Sequence, residues 1–383
     1  MTEVAPPFVI TFGFEGEGTL DAAAWREAGA RVAALHPGAR MRLAGTLGRT
    51  RWVSDGAPPR VLELDGTSWT GAGPEGAAFL DAPFDLKRGP VIELILLQGP
   101  RPRVILRAPH AALDGKAALL FLAEVFAALR GDPLAGPTEH GLTDGDVARA
   151  LAQKAEQPPG MDHLAVTGAI VGDSIASVWR RRRVNGAPSR LLPRMGLELA
   201  RHARAASGAN GAGLKIRVDF PVDLRRHRGD IRSLGNLSGL LRVPIEPETA
   251  TVDAIQAHMR RALDAREEAR AVLLAEGVRS LPLWLMRAFA RGTAKKMRAR
   301  GRFDTTATVS NLGRLDLPRL QGGGFRVVRS WAIGPISPAL PLFLTAIGDE
   351  DGVELCGTMP VALASEGRLE AVLDALVVEL ERG

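Results

Sequence analysis

The sequence lacks the cysteines that a disulfide or a zinc site would need. Cys356 is the single cysteine among 383 residues, so no disulfide can form within the chain. The seven histidines are scattered and show no metal-ligand spacing. The sequence therefore predicts no metal centre, and it favours a reducing, cytoplasmic compartment.

Long apolar runs are also absent. The most apolar long window, about Ala271–Ala290, is interrupted by Glu276, Arg279 and Arg287, so it cannot form a bilayer-spanning helix. The amino-terminal residues include acids and prolines where a secretory signal would have basic residues and an apolar stretch. We therefore expect neither a transmembrane segment nor export, and only peripheral membrane contact stays open.

The composition is that of a globular chain. Hydrophobic residues make up 46%, and the 43 glycines and 26 prolines fall below the share typical of low-complexity disorder. The formal net charge of +6 is modest for this length. The length allows two or three packed cores.

Strand and helix patterns mix in both halves of the chain. Strands are predicted at Phe8–Phe14, Arg60–Leu64, Val91–Leu97, Val104–Arg107, Leu214–Pro221, Leu237–Ile245, Thr306–Ser310, Phe325–Ile333, Leu342–Ile347 and Val353–Met359. Helices are predicted at Leu20–Leu35, Leu113–Leu129, Ile170–Arg183, Leu191–Ala206, Thr251–Ala275, Pro282–Arg300 and Ser365–Leu380. This order predicts an α/β or α+β fold of mixed sheets in two lobes. The polar stretch Thr138–Gly160, with Glu156–Gly160 as its clearest break, leads into the second lobe, and we place the lobes at residues 1–170 and 171–383.

The segment Val104–Leu120 carries the clearest chemical pattern. An apolar strand leads to His110, then a short turn reaches Asp114 and Gly115, where a helix begins. A histidine held at a strand end by a stiff loop can act as a general base, because imidazole titrates near neutral pH. A chance His-x-x-x-Asp-Gly match in a glycine-rich chain is the alternative at this point.

The pattern resembles the HxxxDG acyltransferases, which are related to chloramphenicol acetyltransferase and to the condensation domains of non-ribosomal peptide synthesis. Further landmarks occur in the family's order. They are Gly18–Asp21 with His36-Pro37, Phe84–Leu86 with Gly89-Pro90, Pro221–Arg225 with Gly235–Leu237, and Ser310–Gly313. The second-half landmarks are most similar to the stand-alone O-acyltransferases of alcohol and polyketide substrates.

The resemblance implies two lobes that meet in a V, with the active-site tunnel between them and the lobe of residues 1–170 carrying the motif. His110 matches the general base, and Asp114 matches a structural carboxylate that pairs with the arginine at Arg225. In the family another histidine often precedes the motif histidine, whereas this sequence has Pro109, so hydrogen bonding around the loop should differ.

A tetrahedral oxyanion needs hydrogen-bond donors aimed at its developing charge. The candidates are the backbone N–H of Gly115 together with Ser310 or Asn311. A polar turn after a strand is an equally good interpretation of Ser310–Gly313, and a turn at the entry to a strand is the better interpretation of Gly235-Asn236.

The activity implied is acyl transfer from a thioester to a small-molecule acceptor. The donor would be acyl-coenzyme A or the phosphopantetheine of an acyl carrier protein, with no permanently bound cofactor. A hydroxyl acceptor is favoured, which gives an ester of specialised or lipid metabolism. The alternatives are a free-standing amide-forming condensation enzyme and a catalytically silent homologue that binds a carrier protein or a lipid.

Basic residues cluster at Arg180–Arg183 and at Lys295–Arg302. A solvated helix face is the simplest interpretation of the first cluster. Both clusters also suit coenzyme A, an acidic carrier protein or an anionic lipid surface. Aromatic interleaving is sparse and no recognisable binding motif accompanies the clusters, so nucleic acid is not an expected partner.

Overall fold

A computed structural model describes residues 8–46, 50–138, 141–152, 154–155, 160–208, 213–276 and 281–382. The helices are α1 (Ala22–Leu35), α2 (Gly115–Arg130), α3 (Asp144–Leu151), α4 (Leu191–Ala206), α5 (Val252–Asp264), α6 (Glu267–Glu276), α7 (Leu283–Arg300), α8 (Val361–Ala364) and α9 (Arg368–Glu381). The strands are β1 (Val9–Gly18), β2 (Arg42–Ala44), β3 (Arg51–Val53), β4 (Arg60–Asp65), β5 (Glu93–Gln98), β6 (Arg103–Pro109), β7 (Ser177–Asn185), β8 (Ile216–Asp223), β9 (Ser238–Ile245), β10 (Ala307–Arg314), β11 (Gln321–Gly322), β12 (Phe325–Ile333), β13 (Phe343–Gly348) and β14 (Gly352–Pro360).

The first sheet has the strand order β11-β12-β1-β6-β5-β4. Its pairs are antiparallel except β4 with β5, which run parallel. Helices α1 and α2 cover one face, where Trp25 packs edge-on against Phe126. Strands β5 and β6 are buried on both faces, which explains their nearly continuous apolar sequence.

The second sheet has the order β7-β14-β13-β10-β8-β9. Strand β10 runs parallel to both neighbours, and the other pairs are antiparallel. Alternate residues of these strands pack with α4, α5 and α9 in one core. The remaining residues face away from that core and include Leu312, which joins the core of the first lobe. Both sheets are therefore mixed, and each has helices on one face.

Strand β12 ties the two lobes together. It comes from the second half of the chain but pairs with β1 in the first sheet. Its Trp331 stacks on Trp179 of β7 with the ring centroids 5.8 Å apart, and Trp69 meets both rings edge-on. A side chain on Gly13 would overlap the Trp331 ring, so this close approach requires glycine. A tryptophan cluster thus forms one seam between the lobes.

The predicted helix at Ile170–Arg183 is wrong. Residues 177–185 form β7, an edge strand whose arginines alternate between two sides. Arg180 and Arg182 pair with Glu370 and Asp374 of α9, whereas Arg181 and Arg183 pair on the opposite side with acids that include Glu15, Glu354 and Asp349. The arginine run is therefore neutralised by protein carboxylates and is not a solvated helix face.

Two further expectations need correction. The predicted single helix Thr251–Ala275 is split into α5 and α6, because Arg266 between them has a left-handed φ of 57° that interrupts a helix. The polar stretch after Thr138 contains α3, which starts with a capping box between Thr143 and Asp146. Residues 156–159 of that stretch lie outside the described residues, and the lobe boundary at residue 170 stays a prediction.

None of the helices in the described ranges is long and apolar enough to cross a membrane.

Candidate active site

His110 directly follows strand β6 at the centre of the first sheet. Its backbone N–H donates to the Phe8 carbonyl at 2.8 Å and so extends the ladder between β1 and β6. Pro109 supplies the carbonyl that accepts from the Ala112 N–H at 2.8 Å, which closes the turn after the strand. Proline at this position therefore ends the strand and starts the turn without using a backbone N–H.

The strand beneath the histidine is fixed by a buried ion pair. Arg107 on β6 and Glu93 on β5 are both fully buried, and Arg107 Nη1 lies 2.5 Å from Glu93 Oε2. The Arg107 guanidinium also donates to the Ala82 carbonyl at 2.6 Å and lies 5.2 Å from the ring of Phe84. Burial lowers the pKa of Arg107, and the Glu93 carboxylate opposes this effect. The segment around Phe84 is thereby attached to the strand that carries His110.

The His110 ring has a defined tautomer when it is neutral. Nδ1 lies 3.0 Å from the Leu113 carbonyl oxygen, which can only accept, so Nδ1 carries the proton and Nε2 keeps a lone pair. The ring stacks on Phe8 with centroids 5.5 Å apart and planes 11° from parallel. His110 is half-buried and Phe8 is 47% exposed. The imidazole is thus oriented by its backbone contact and is partly exposed.

Asp114 uses both carboxylate oxygens inside the protein. Oδ1 accepts from the Ala117 N–H at 2.7 Å and caps α2. Oδ2 accepts from the Leu237 N–H at 2.6 Å and from Arg225 at 2.8 Å. The residue is only 2% exposed. With both oxygens engaged and buried, Asp114 joins the lobes and is not placed to take a substrate proton.

Arg225 distributes its donors around the loop before β9. Its guanidinium donates hydrogen bonds to the Asp223 carboxylate at 2.8 Å, the Ser233 carbonyl at 3.1 Å and the Gly235 carbonyl at 2.7 Å. Burial acts to lower the pKa of Arg225, but the Asp114 and Asp223 carboxylates outweigh burial and raise the pKa. The guanidinium therefore stays charged and fixes residues 233–237 of the second lobe against the start of α2.

Sequence reasoning missed the role of Asn236. Its side-chain amide donates to the His110 carbonyl at 2.6 Å, while its oxygen accepts from the Ser238 N–H at 3.3 Å. The bond with Ser238 belongs to the local turn that the sequence suggested. The bond with His110 crosses between the lobes. Asn236 lies in a glycine-containing loop shortly after Arg225 in the sequence. This position in the loop is the signal that could have pointed to the contact.

Gly115 provides the close approach between α2 and β10. A Cβ at this position would lie 2.6 Å from Leu312 Cδ2, and the neighbouring Lys116 ammonium donates to the Leu312 carbonyl at 3.1 Å. The Gly115 N–H bonds no acceptor within the described ranges. It belongs to the first turn of a sixteen-residue helix, where free N–H groups and the helix dipole favour negative charge.

Ser310 and Asn311 lie on β10 opposite Thr345 and Ala346 of β13. Ser310 is half-buried and Asn311 is exposed. The Asn311 side-chain oxygen accepts from the Gly313 N–H at 2.9 Å. Both Ser310 and Asn311 lie within β10, whose register with β13 shifts after Asn311, so Ser310–Gly313 is an irregular part of a strand and the interpretation as a polar turn after a strand is wrong. In the described part of the chain, no hydrogen bond joins either residue to His110 or Gly115.

Comparison with known proteins identifies the fold. Neither a protein-family model nor a curated protein matches the sequence. Among solved structures, the starter condensation domain of rhizomide synthetase, in complex with C8-CoA and Leu-SNAC, has a TM-score of 0.65 at 15% identity and covers 99% of this chain and 89% of that one. The first condensation domain of the calcium-dependent antibiotic synthetase has a TM-score of 0.63 at 15% identity and covers 98% of this chain and 91% of that one.

The same fold extends to a polyketide system. The condensation domain from Monacolin K polyketide synthase has a TM-score of 0.62 at 13% identity and covers 98% of this chain and 91% of that one. These matches confirm the predicted two-lobed, mixed-sheet architecture over nearly the whole length. The chain has the fold of the condensation domains, the structural group that the HxxxDG pattern indicated.

Proposed function

We propose that this protein is an acyltransferase that moves an acyl group from a thioester to the hydroxyl of a small-molecule acceptor. The observation that carries the proposal is the orientation of His110. Its Nδ1 is committed to the Leu113 carbonyl at 3.0 Å, so a neutral ring has its lone pair at Nε2. The histidine is half-buried next to the contacts that join the two lobes.

The proposed reaction needs one base and one anion-stabilising group. Nε2 takes the proton of the acceptor hydroxyl as the oxygen attacks the thioester carbonyl. The tetrahedral oxyanion lies near the free Gly115 N–H at the helix amino terminus, with Ser310 or Asn311 as a second donor. The intermediate collapses, the carbon–sulfur bond breaks, and the leaving thiolate takes the proton from the imidazolium. The products are an ester and a free thiol, and no covalent acyl-enzyme forms.

The donor is proposed to be acyl-coenzyme A, or the phosphopantetheine thioester of an acyl carrier protein. A solved domain of the same fold was determined with C8-CoA, which supports coenzyme A as the first donor to test. The setting proposed is ester formation in specialised or lipid metabolism. Amide formation on an amine acceptor uses the same base and differs only in the nucleophile.

The test uses octanoyl-coenzyme A with a panel of hydroxyl and amine acceptors, and it follows both the released thiol and the product mass. Replacing His110 by Ala should lower kcat by about 10²–10⁴-fold while the thermal midpoint stays near that of the parent. His163→Ala is the matched control, because the Nδ1 of His163 also bonds a backbone carbonyl, at 2.9 Å from Lys215. Full activity of His110→Ala would refute the general-base assignment.

The same experiment separates the silent homologue from the enzyme. Binding of octanoyl-coenzyme A without transfer to any acceptor, for both the parent and His110→Ala, would favour a scaffold that recognises thioesters. Transfer that depends on His110 favours the enzyme. The preferred acceptor then decides between ester and amide formation.

A further inference from the structure

We propose that helix α7 docks the protein on an anionic membrane surface. Six large hydrophobic residues lie exposed on this helix or on the segments beside it: Val171, Ile175, Leu281, Trp284, Leu285 and Phe289. Trp284 is 64% exposed and Phe289 is 76% exposed. Of the whole helix, only Met297 near its end is buried. The first half of α7 therefore exposes aromatic surface that the fold does not cover.

The exposed residues follow the helical repeat. The less exposed side chains Leu283, Met286 and Met297 lie on the side of the helix that faces the protein. They are separated by three and eleven residues, which correspond to about one and three helical turns. Trp284, Leu285 and Phe289 fall on the outer side, and the outer positions of the second half carry basic residues, namely Arg291, Lys295, Lys296 and Arg300. The outer face is thus apolar toward the start of the helix and cationic toward its end.

The positive charge of this region is not neutralised by carboxylates of the described residues. Residues 281–303 contain no Asp or Glu and seven basic residues. None of these seven forms an ion pair with any residue of the described ranges. The run Arg180–Arg183 differs, because each of its arginines pairs with a carboxylate. The charge on α7 is therefore available to an external anionic partner.

A second segment lies beside the helix and adds apolar surface. The Arg298 guanidinium donates to the Ser174 carbonyl at 2.7 Å and to the Gly172 carbonyl at 3.4 Å. These bonds hold the segment that contains Val171 and Ile175, which are 49% and 74% exposed. The docking surface is defined here as α7 together with residues 171–175.

A lipid surface fits this arrangement better than a protein partner does. The aromatic side chains Trp284 and Phe289 both stand out from one helix. Amphipathic helices that lie in the membrane interface combine Trp, Phe and Leu on one part of their surface with Lys and Arg on the other. Tryptophan favours the headgroup region, and basic residues near an anionic surface add attraction. The inference does not depend on the role of His110.

The experiment is co-sedimentation with phosphatidylcholine vesicles, with and without phosphatidylserine, at low and high salt. The full chain should bind the anionic vesicles, and high salt should weaken binding. The double variant Lys295→Gln/Lys296→Gln should bind about thirtyfold more weakly, the factor that corresponds to about 1 kcal/mol per basic residue. Trp284→Ala/Phe289→Ala should abolish binding and remove the blue shift in tryptophan fluorescence caused by vesicles.

The matched controls lie on other surfaces. Lys87→Gln/Arg88→Gln removes an exposed basic pair of the first lobe, and Val328→Ala/Val378→Ala removes exposed apolar side chains from β12 and α9. Both should bind like the parent. Circular dichroism checks that every variant is folded.

Several outcomes would overturn the inference. They are equal binding to neutral and anionic vesicles, binding that the α7 variants leave unchanged, and equal losses in the control variants. Binding of an acidic acyl carrier protein that requires Trp284 and Phe289, without vesicle binding, would reassign the surface to a protein partner. Self-association in solution that these two residues control would reassign it to a second copy of the chain.

Discussion

Removal of the Asp114 carboxylate should unfold the junction between the lobes. Asp114→Ala deletes the cap of α2, worth about 1 kcal/mol, and breaks a buried ion pair, which costs about 3–5 kcal/mol. Among the residues that the structure describes, Arg225 would keep only Asp223 as a charged partner, and the Leu237 N–H would lose its acceptor. The expected loss is therefore about 4–6 kcal/mol, a large part of the 5–15 kcal/mol typical of native proteins.

Urea unfolding followed by tryptophan fluorescence measures this loss. Asp223→Ala is the control, because its carboxylate contacts the same Arg225 nitrogen at 2.8 Å but is 28% exposed, and it should cost about 1 kcal/mol or less. If Asp114→Ala cannot be purified, Asp114→Asn keeps the cap oxygen and isolates the loss of charge. The reasoning is refuted if Asp114→Ala, or Asp114→Asn in its place, destabilises the protein no more than Asp223→Ala does.

Two other sites give predictions that are independent of the ion pair. Gly115→Ala should lower the thermal midpoint and kcat, because its Cβ would overlap Leu312, and overpacking of this kind costs about 1–3 kcal/mol. In a double-mutant cycle Gly115→Ala should cost less stability in a Leu312→Ala background than in the parent, and a Gly115→Ala protein that behaves like the parent would contradict the assigned contact. Burial raises the pKa of Asp219 to about 7, although the nearby Arg217 acts to lower it. The folded protein therefore holds a proton that the unfolded chain releases near pH 4, so this group makes the free energy of unfolding fall as pH rises from about 4 to 7. Asp219→Asn should remove that part of the pH dependence of the free energy of unfolding, measured by urea titrations between pH 5 and 8. An identical pH dependence in the parent and in Asp219→Asn would disprove the role assigned to Asp219.

Local sequence patterns predict the parts of the fold whose signals are local. Helices α1 and α2 are visible because apolar residues recur at helical spacing between clear start and stop residues. Strands β5 and β6 are visible because both faces are buried and their sequences are nearly all apolar. The placement of His110, Asp114 and Gly115 at a strand–turn–helix junction follows from the same short-range patterns.

Features that depend on distant partners could not be predicted in this way. The Arg180–Arg183 run was interpreted as a helix because its neutralising acids lie 105 to 192 positions away in the sequence. Asn236 was interpreted as part of a turn because its bond to His110 spans 126 positions. The pairing of Arg225 with Asp114 came only from the resemblance to a known family, since spacing along the chain carries no trace of it.

The placement of β12 limits how this protein can be divided. In a fragment that ends near residue 170, β1 would keep its pairing with β6 but lose β12, so β1 would become an edge strand with a row of unpaired backbone groups. The complementary fragment would carry the nine-residue strand β12 without its partner β1, and Trp331 would keep Trp179 but lose its contacts with Trp69 and Gly13. Expression of either half alone should therefore yield aggregates, whereas co-expression of the two pieces offers each the surface that it lacks.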